Sequence, residues 1–390
     1  MRESIPWAVR APVRRARNAL AAGRALAWQL PHWRAIAATP PRSGSLAVSY
    51  GRRRMPGPDD VVIGGHVKFA LLNGELPNAP LDFNVLYLGS TALPVEAPLL
   101  VRLARRRGAA FVWNQNGVAY PAWHGSGWEL VNRPRAQLLH EADYVFFQSA
   151  FCKLSADRFY GPRESGWEVL HNPVDTRRFV PGSERRRRPL TILLGGSQYQ
   201  RYRLLVALQT LTLLRRDLPE ARLLVAGELS YARGARAEAT AAIERLGLAG
   251  AVELVGPYTR RQAPELMRRA DVLLHTKYND PCPTVVLEAM ACGLPVVYSA
   301  SGGTPELVGA EAGRGVPAPL DFERDHPPSA DELAQALAEV AGRLDERAAA
   351  ARERALGFDS RAWIERHRAV FVALLGTPGS APAEAILGRS

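Results

Sequence analysis

Asn279-Asp280-Pro281-Cys282-Pro283-Thr284-Val285-Val286-Leu287-Glu288-Ala289-Met290-Ala291-Cys292-Gly293-Leu294-Pro295-Val296-Val297, closed by Ser301-Gly302-Gly303-Thr304-Pro305-Glu306, is the stretch on which the fold turns. An apolar strand over Val272–His275 leads into it, and an acidic-proline turn opens a helix over Val285–Cys292. Gly293 suits the position just past a helix end, and Pro295 begins the next strand, Pro295–Ser299. A strand, a turn, a helix and a strand in so short a span describe one crossover of a parallel α/β sheet.

Two charges inside this crossover carry chemistry. Asp280 suits an N-cap or turn former before a proline, and equally a ligand-holding carboxylate. Glu288 lies just over one turn into the helix and is followed by the small or apolar run Ala289–Gly293. A solvated helix residue is the alternative reading. A lone carboxylate leading a buried helix is better suited to accept hydrogen bonds from a specific partner, such as the two hydroxyls of a ribose. The helix terminus beside it is also a place for an anion.

The same alternation continues on both sides. Upstream, the pattern predicts strands at Leu46–Tyr50, Phe83–Leu88, Ala110–Trp113 and Tyr144–Phe147. Helices lie between them: from Gly64–Gly65 through Phe69, Leu72 and Leu76, over Pro98–Arg107, and ending at Ala136–His140. After a break at Pro181–Pro189, with Gly182 and the run Arg185–Arg188, strands follow at Leu190–Leu194, Leu223–Ala226 and Val252–Val255. Helices there span Leu204–Leu214, Ala235–Leu246 and Gln262–Arg269. The expected organisation is a basic arm over 1–42, one Rossmann-like domain over 43–181, a linker over 182–189 and a second domain over 190–358. A helix over 359–375 packs back onto the first domain, and 376–390 form a loose tail. Two doubly wound domains of similar size place a ligand cleft between them, at the carboxyl ends of the strands.

With 390 residues the chain is long enough for two separate cores. No uninterrupted apolar run of about eighteen residues marks a membrane span, and with its apolar stretch broken by arginine the N-terminus is not expected to act as a secretory signal. Three cysteines, Cys152, Cys282 and Cys292, form no CxxC pair, which fits neither a disulfide framework nor a zinc site and suits a cytoplasmic location. The net charge of +12 points to an anionic partner or to a genomic bias toward arginine. The arginines are not interleaved with aromatics as in nucleic-acid binders, so no nucleic acid is expected. The arm combines arginines with Trp7, Trp28 and Trp33, which suits either a surface helix docked on the first domain or one lying peripherally on an anionic inner membrane face.

The Asp280–Glu306 segment resembles the donor-binding signature of family 4 glycosyltransferases, retaining enzymes of the GT-B fold. In them an acidic residue is followed, after seven others, by Glu-Ala-Met-Ala-x-Gly-x-Pro-Val-Val, as from Asp280 to Val297 here. The resemblance implies that Glu288 holds the ribose of a nucleotide-sugar donor and Asp280 the hydroxyls of the transferred sugar. Backbone around Cys282, Thr284 and Val285 would approach the sugar and diphosphate, as would the glycine pairs Gly64–Gly65 and Gly302–Gly303. Pro281 and Pro283 each remove an amide donor, and Asp280 replaces the more usual Glu. Leu170–Pro181 resembles the segment that closes the acceptor domain, with Asn172 and Asp175 read as turn caps.

Two positions depart from the pattern. The first cation expected after the first strand of the second domain is missing from Gly195–Arg203, leaving Arg201 or Arg203 to clamp the diphosphate. Asn116-Gly117 stands where His-Gly is usual, so Asn116 would hydrogen-bond the sugar or support developing positive charge through its carbonyl. His124 nearby is an alternative, or simply a solvated loop residue. No Asp-x-Asp occurs, which implies no metal and a diphosphate neutralised by cations, helix N-termini and amides. The implied activity is retaining transfer to a saccharide or lipid-linked acceptor in surface-glycan synthesis. An epimerase or hydrolase of the same fold, or a non-catalytic nucleotide-sugar-binding module, stands beside it.

Overall fold

The structure, a computed structural model, describes residues 30–55, 57, 64–91, 93–182 and 189–376. Most of the arm, including Trp7 and Trp28, the run Arg185–Arg188 and the tail from Thr377 lie outside the described residues.

The first unit opens with a helix whose described part is residues 30–38 (α1) and continues β1 (Val48–Ser49), α2 (Gly64–Glu75), β2 (Val85–Gly89), α3 (Ala97–Arg106) and β3 (Ala110–Gln115). It goes on through α4 (Pro121–His124), α5 (Trp128–Glu141), β4 (Tyr144–Phe147), α6 (Ala150–Tyr160) and β5 (Trp167–Val169). All five strands are parallel and lie in chain order, β1-β2-β3-β4-β5. Strands β2 to β4 are buried along their full length, as expected where helices cover both faces. Leu100, Val101 and Ala104 of α3 pack with Leu138 and Leu139 of α5 and Cys152 of α6 on one face. Phe69 and Leu72 of α2 pack on the other with Tyr87 and Phe146.

The second unit runs β6 (Thr191–Leu194), α7 (Arg201–Leu214), β7 (Arg222–Ala226), α8 (Ala235–Arg245), β8 (Val252–Gly256), α9 (Ala263–Arg268), β9 (Val272–His275), α10 (Thr284–Ala291), β10 (Val296–Ala300), α11 (Thr304–Val308) and β11 (Gly313–Pro317). Helices α12 (Ala330–Gly342) and α13 (Leu344–Leu356) complete it. Its parallel sheet has the order β11-β10-β9-β6-β7-β8, so the winding reverses between β6 and β9. That reversal opens a crevice at the strands' carboxyl ends. The first sheet shows no reversal among its described strands; there the helices cover both faces while the strand order stays sequential.

Two chain crossings join the units, and they pair with each other. Val174 donates its amide to Phe358 O at 2.9 Å, and Ser360 donates to Val174 O at 2.9 Å. Immediately after, α14 (Ser360–Leu374) lies across the first sheet, burying Trp363, Ile364, Val370 and Phe371 against Val48, Tyr87 and Phe146. His367 sits within this apolar patch, 2.9 Å from Tyr87 Oη, and burial pulls its imidazole down to about 3, so it is neutral.

Candidate active site

The centre of the site is the turn between β9 and α10. Asn279 takes a left-handed backbone, φ 49°, which asparagine tolerates better than most residues. That bend returns the Asp280 carboxylate onto its own strand end. Asp280 Oδ2 lies 3.1 Å from His275 Nε2 and 3.1 Å from Lys277 Nζ. All three side chains are shielded from water, at 13%, 2% and 15% exposure in the same order. Although burial opposes it, the Lys277 ammonium and the His275 hydrogen bond hold the Asp280 carboxyl far below its usual range. Burial lowers His275 despite its acidic partner, so the imidazole is neutral and donates to the carboxylate. Lys277 is raised by Asp280 against the cost of its own burial, and its Nζ also lies 5.5 Å from the Tyr199 ring centroid. Asp280 therefore does not cap α10; the N-cap is Pro283, with no side-chain cap bond.

Backbone packing immobilises this turn. A Cβ on Gly302 would lie 2.4 Å from Asp280 O, and one on Gly303 would lie 2.0 Å from Pro281 O. Both glycines are thus needed for two loops to touch. The Gly303 amide is taken by Asp280 O at 2.9 Å. Cys282 is likewise turned inward: Asn172 Nδ2 donates to Cys282 O at 2.8 Å, across 110 residues of sequence. Asn172, read as a turn cap, is instead a clamp on the donor loop.

The first domain meets this turn directly. Gly117 admits Pro281, whose Cγ would lie 2.6 Å from an added Cβ. Asn116 is beside it, but its Oδ1 accepts the Gly117 amide at 2.7 Å, so its carbonyl is engaged in the turn. Ser149 Oγ donates to Pro281 O at 2.7 Å. Glu306, on α11, accepts the amides of Ala150 and Phe151 at 2.7 and 3.0 Å and faces His171 Nε2 at 3.0 Å. A carboxylate from one domain thereby occupies the N-terminus of α6 in the other. Farther out, the segment after β11 inserts Phe322 among Tyr120, Phe151 and Phe159, and Phe322 O accepts the Ala122 amide at 2.9 Å.

Glu288 lies on the next turn of α10, in a pocket with Thr284, Arg178 and Arg260 that is closed on the far side by Val67 and Leu71 of α2. Burial pushes its carboxyl up to about 7, with Arg260 and then Arg178 opposing. No hydrogen bond from the described residues satisfies this carboxylate. The pocket holds about 20 Å3, room for about one water molecule by that measure. Gly64 and Gly65 open α2, the helix that forms this wall. Val285 packs against Gly195, where a Cβ would approach Val285 Cγ2 to 2.9 Å.

The expected arginine clamp looks different in place. Arg201 is 63% exposed and pairs with Glu238 of α8. Arg203 is buried and donates to Ser197 O at 2.6 Å, bracing the loop after β6. It lies near enough to Asp280 to feel its charge. His124 is exposed at the end of α4. The cation beside Asp280 is Lys277, which the sequence reading passed over although His275, Lys277 and Asp280 fall within six residues. Glu306, His171 and Ser149 were missed for a different reason, since nothing local links them.

Residues 178–351 match the family model of Glycosyl transferases group 1. A GDP-mannose-dependent alpha-(1-6)-phosphatidylinositol monomannoside mannosyltransferase of Mycolicibacterium smegmatis is 29% identical over 252 residues, 58% of this chain and 61% of that protein. A D-inositol 3-phosphate glycosyltransferase of the same species is 29% identical over 177 residues, 44% of this chain and 41% of that protein. The chain thus spans about two fifths to three fifths of these curated relatives. Among solved structures, Anabaena Alr3699/HepE in complex with UDP superposes with a TM-score of 0.60 at 19% identity, covering 77% of this chain and 79% of that one. The sucrose-phosphate synthase of Thermosynechococcus elongatus gives 0.61 at 18%, covering 79% and 76%. The paired parallel sheets are the GT-B fold, and residues 178–351, which contain the Asp280–Glu306 segment, are similar to the glycosyl transferases group 1.

Proposed function

We propose that this protein is a retaining, metal-independent glycosyltransferase that moves a sugar from a nucleotide-sugar donor to a saccharide or lipid-linked acceptor in surface-glycan synthesis. The observation that carries the reading is the pairing, on one helix and its leading turn, of two unlike carboxylates. Glu288 is half-buried, without a hydrogen-bond partner among the described residues, and raised to about 7; Asp280 is buried, paired and held fully ionised. The first suits neutral hydroxyl donors such as a ribose. The second, fixed by Lys277 and His275, suits orientation of a sugar.

During transfer the bond from the anomeric carbon to the donor phosphate oxygen breaks, and the acceptor oxygen forms a bond on the same face. The acceptor proton passes to the departing phosphate oxygen. Positive charge grows on the sugar and negative charge on the diphosphate. Stabilising the latter by preorganised charge is the largest contribution expected of the protein. Lys277, the N-terminal end of α10 and the amides of Cys282, Thr284 and Val285 are the groups at hand. Arg203 acts by holding the Gly195–Ser197 loop in shape. Operation without a metal is supported by these cations and by the lack of an Asp-x-Asp pair in the sequence.

Work at a cytoplasmic membrane face is part of the proposal; among the described residues no helix is long and apolar enough to cross a membrane. A thermal-shift screen of the full chain against nucleotide sugars, followed by transfer assays with the stabilising donor, tests the reading. A donor at about 100 times its Kd adds about 2.7 kcal/mol to stability. Absence of any shift across the panel, or release of free sugar unaffected by added acceptors, counts against transfer.

A further inference from the structure

Lysine occurs three times among the 50 basic residues of this chain. Lys153 pairs with Asp157 along α6, and Lys277 pairs with Asp280. Lys68, in the second turn of α2, has no carboxylate partner among the described residues. It is 3% exposed, and its hydrogen bond is to a neutral group: Nζ donates to Asn114 Oδ1, near the carboxyl end of β3, at 2.5 Å. Gln148 Nε2, just past β4, donates to the same oxygen at 2.6 Å, while Gln148 Oε1 is buried without a partner among the described residues. The ionisable groups that would steady the ammonium are the Cys282 and Cys152 thiols, and burial pushes both thiols up, so they are neutral. Burial pushes Lys68 itself down to about 7. A buried ammonium with two of its three donors unused costs the fold stability, so packing alone does not account for it.

The position of Lys68 does. Val67, its neighbour on α2, lines the Glu288 pocket together with Thr284. Lys68 lies near enough to Cys282 for the two to influence each other's charge. The helix α2 therefore runs along the start of α10, with Val67 facing the Glu288 end and Lys68 facing the Asp280 end. In the proposed reaction a donor runs the same way, from ribose at Glu288 to sugar at Asp280, with its diphosphate between them. The second domain is short of groups for that diphosphate. Pro281 and Pro283 have no amide hydrogen, Arg201 is turned to Glu238, and Arg203 is spent on the backbone of Ser197.

We propose that Lys68 is a donor-binding cation supplied by the first domain, whose ammonium turns from Asn114 onto the phosphate farther from the ribose, the one whose oxygen leaves the sugar. This rests on reading the chain as a nucleotide-sugar transferase, and the ligand class is a nucleoside diphosphate. Asn114 is the resting partner of the ammonium, and the flexible lysine stem allows the exchange. The phosphate contact is a charge-assisted hydrogen bond, and it strengthens as negative charge grows on that phosphate during transfer.

Isothermal titration calorimetry of the full chain with ADP, CDP, GDP and UDP, and with the matching monophosphates, tests this. Lys68→Met keeps the bulk of the side chain and removes its charge. It should weaken the diphosphate that binds by roughly ten- to a hundredfold, the effect of one hydrogen bond to a charged group, and leave its monophosphate unchanged. The ligand-free variant should also melt at a higher temperature than the native protein, because an unpaired buried charge is gone while Asn114 Oδ1 keeps the Gln148 donor. A lower melting temperature with equal losses for monophosphate and diphosphate makes Lys68 a structural support and overturns the proposal. A variant that binds the diphosphate as well as the native chain rejects Lys68 alone. A native chain that binds none of the four diphosphates sinks the nucleotide-sugar reading, and the role of Lys68 with it.

Discussion

Glu288 and Lys277 show how much one neighbour decides. Glu288 has no hydrogen-bond donor among the described residues, so its charge is costly, and burial raises it to about 7. Ribose hydroxyls donate best to the ionised form, so donor binding should release a proton. Nucleoside diphosphate affinity is therefore expected to rise as pH increases through about 7 and to level off above it; calorimetry between pH 6 and 8 checks this. Glu288→Gln should bind weakly and lose the pH dependence. For stability the sign is opposite. A carboxyl raised in the folded state favours folding below its unfolded value near 4.5, and that contribution is lost as pH climbs through 7. Lys277 is the cation beside Asp280, and Lys277→Met should reduce kcat by roughly 10²–10³. Lys277→Arg should recover part of that loss and restore nucleoside diphosphate binding, which a purely structural role would not predict.

At the level of elements, the donor turn keeps its shape because other loops lean on it. Gly303→Ala would drive a Cβ to 2.0 Å from the backbone oxygen Pro281 O and to 2.7 Å from Ser149 Oγ, which itself donates to that oxygen. A loss of about 1–3 kcal/mol is expected in chemical denaturation. The same contacts tie the domains: Ser149 to Pro281, Glu306 to the α6 amides, Phe322 into the aromatic cluster. Phe322 is 2% exposed, so Phe322→Ala should cost about 3–5 kcal/mol by opening a cavity. Glu306→Gln weakens the contact with the helix N-terminus by a smaller amount, about 1 kcal/mol.

For the whole molecule these ties define a closed arrangement. The space at Glu288 is about 20 Å3, so on the proposed reading α2 and α10 separate as a ribose enters. The paired crossings at Val174 and Asp359–Ser360 are the natural pivot, because they join the units by a few backbone bonds. Phe322→Ala and Glu306→Gln should both raise the population of the open form. A larger radius of gyration in small-angle scattering with unchanged far-UV circular dichroism is the expected outcome, and an unchanged radius would argue against a hinge.

The strand–turn–helix grammar around Asp280 was legible in the sequence because periodicity and glycine or proline punctuation are local properties, and β9, α10 and β10 follow from it to within a residue or two. Glu288 stood out for the same reason, as one charge in an apolar helix. The sequential strand order of the first sheet, the inward turn of Arg203, the exposure of Arg201 and the use of Gly302–Gly303 for loop packing are not local properties. Each depends on which groups from different elements and loops reach the same space first. The chain by itself determined the crossover and the pair of carboxylates. Tertiary packing decided which cation meets Asp280, what shields Glu288, and how tightly the two domains close over them, because burial and distance set the charge of every group in the cleft.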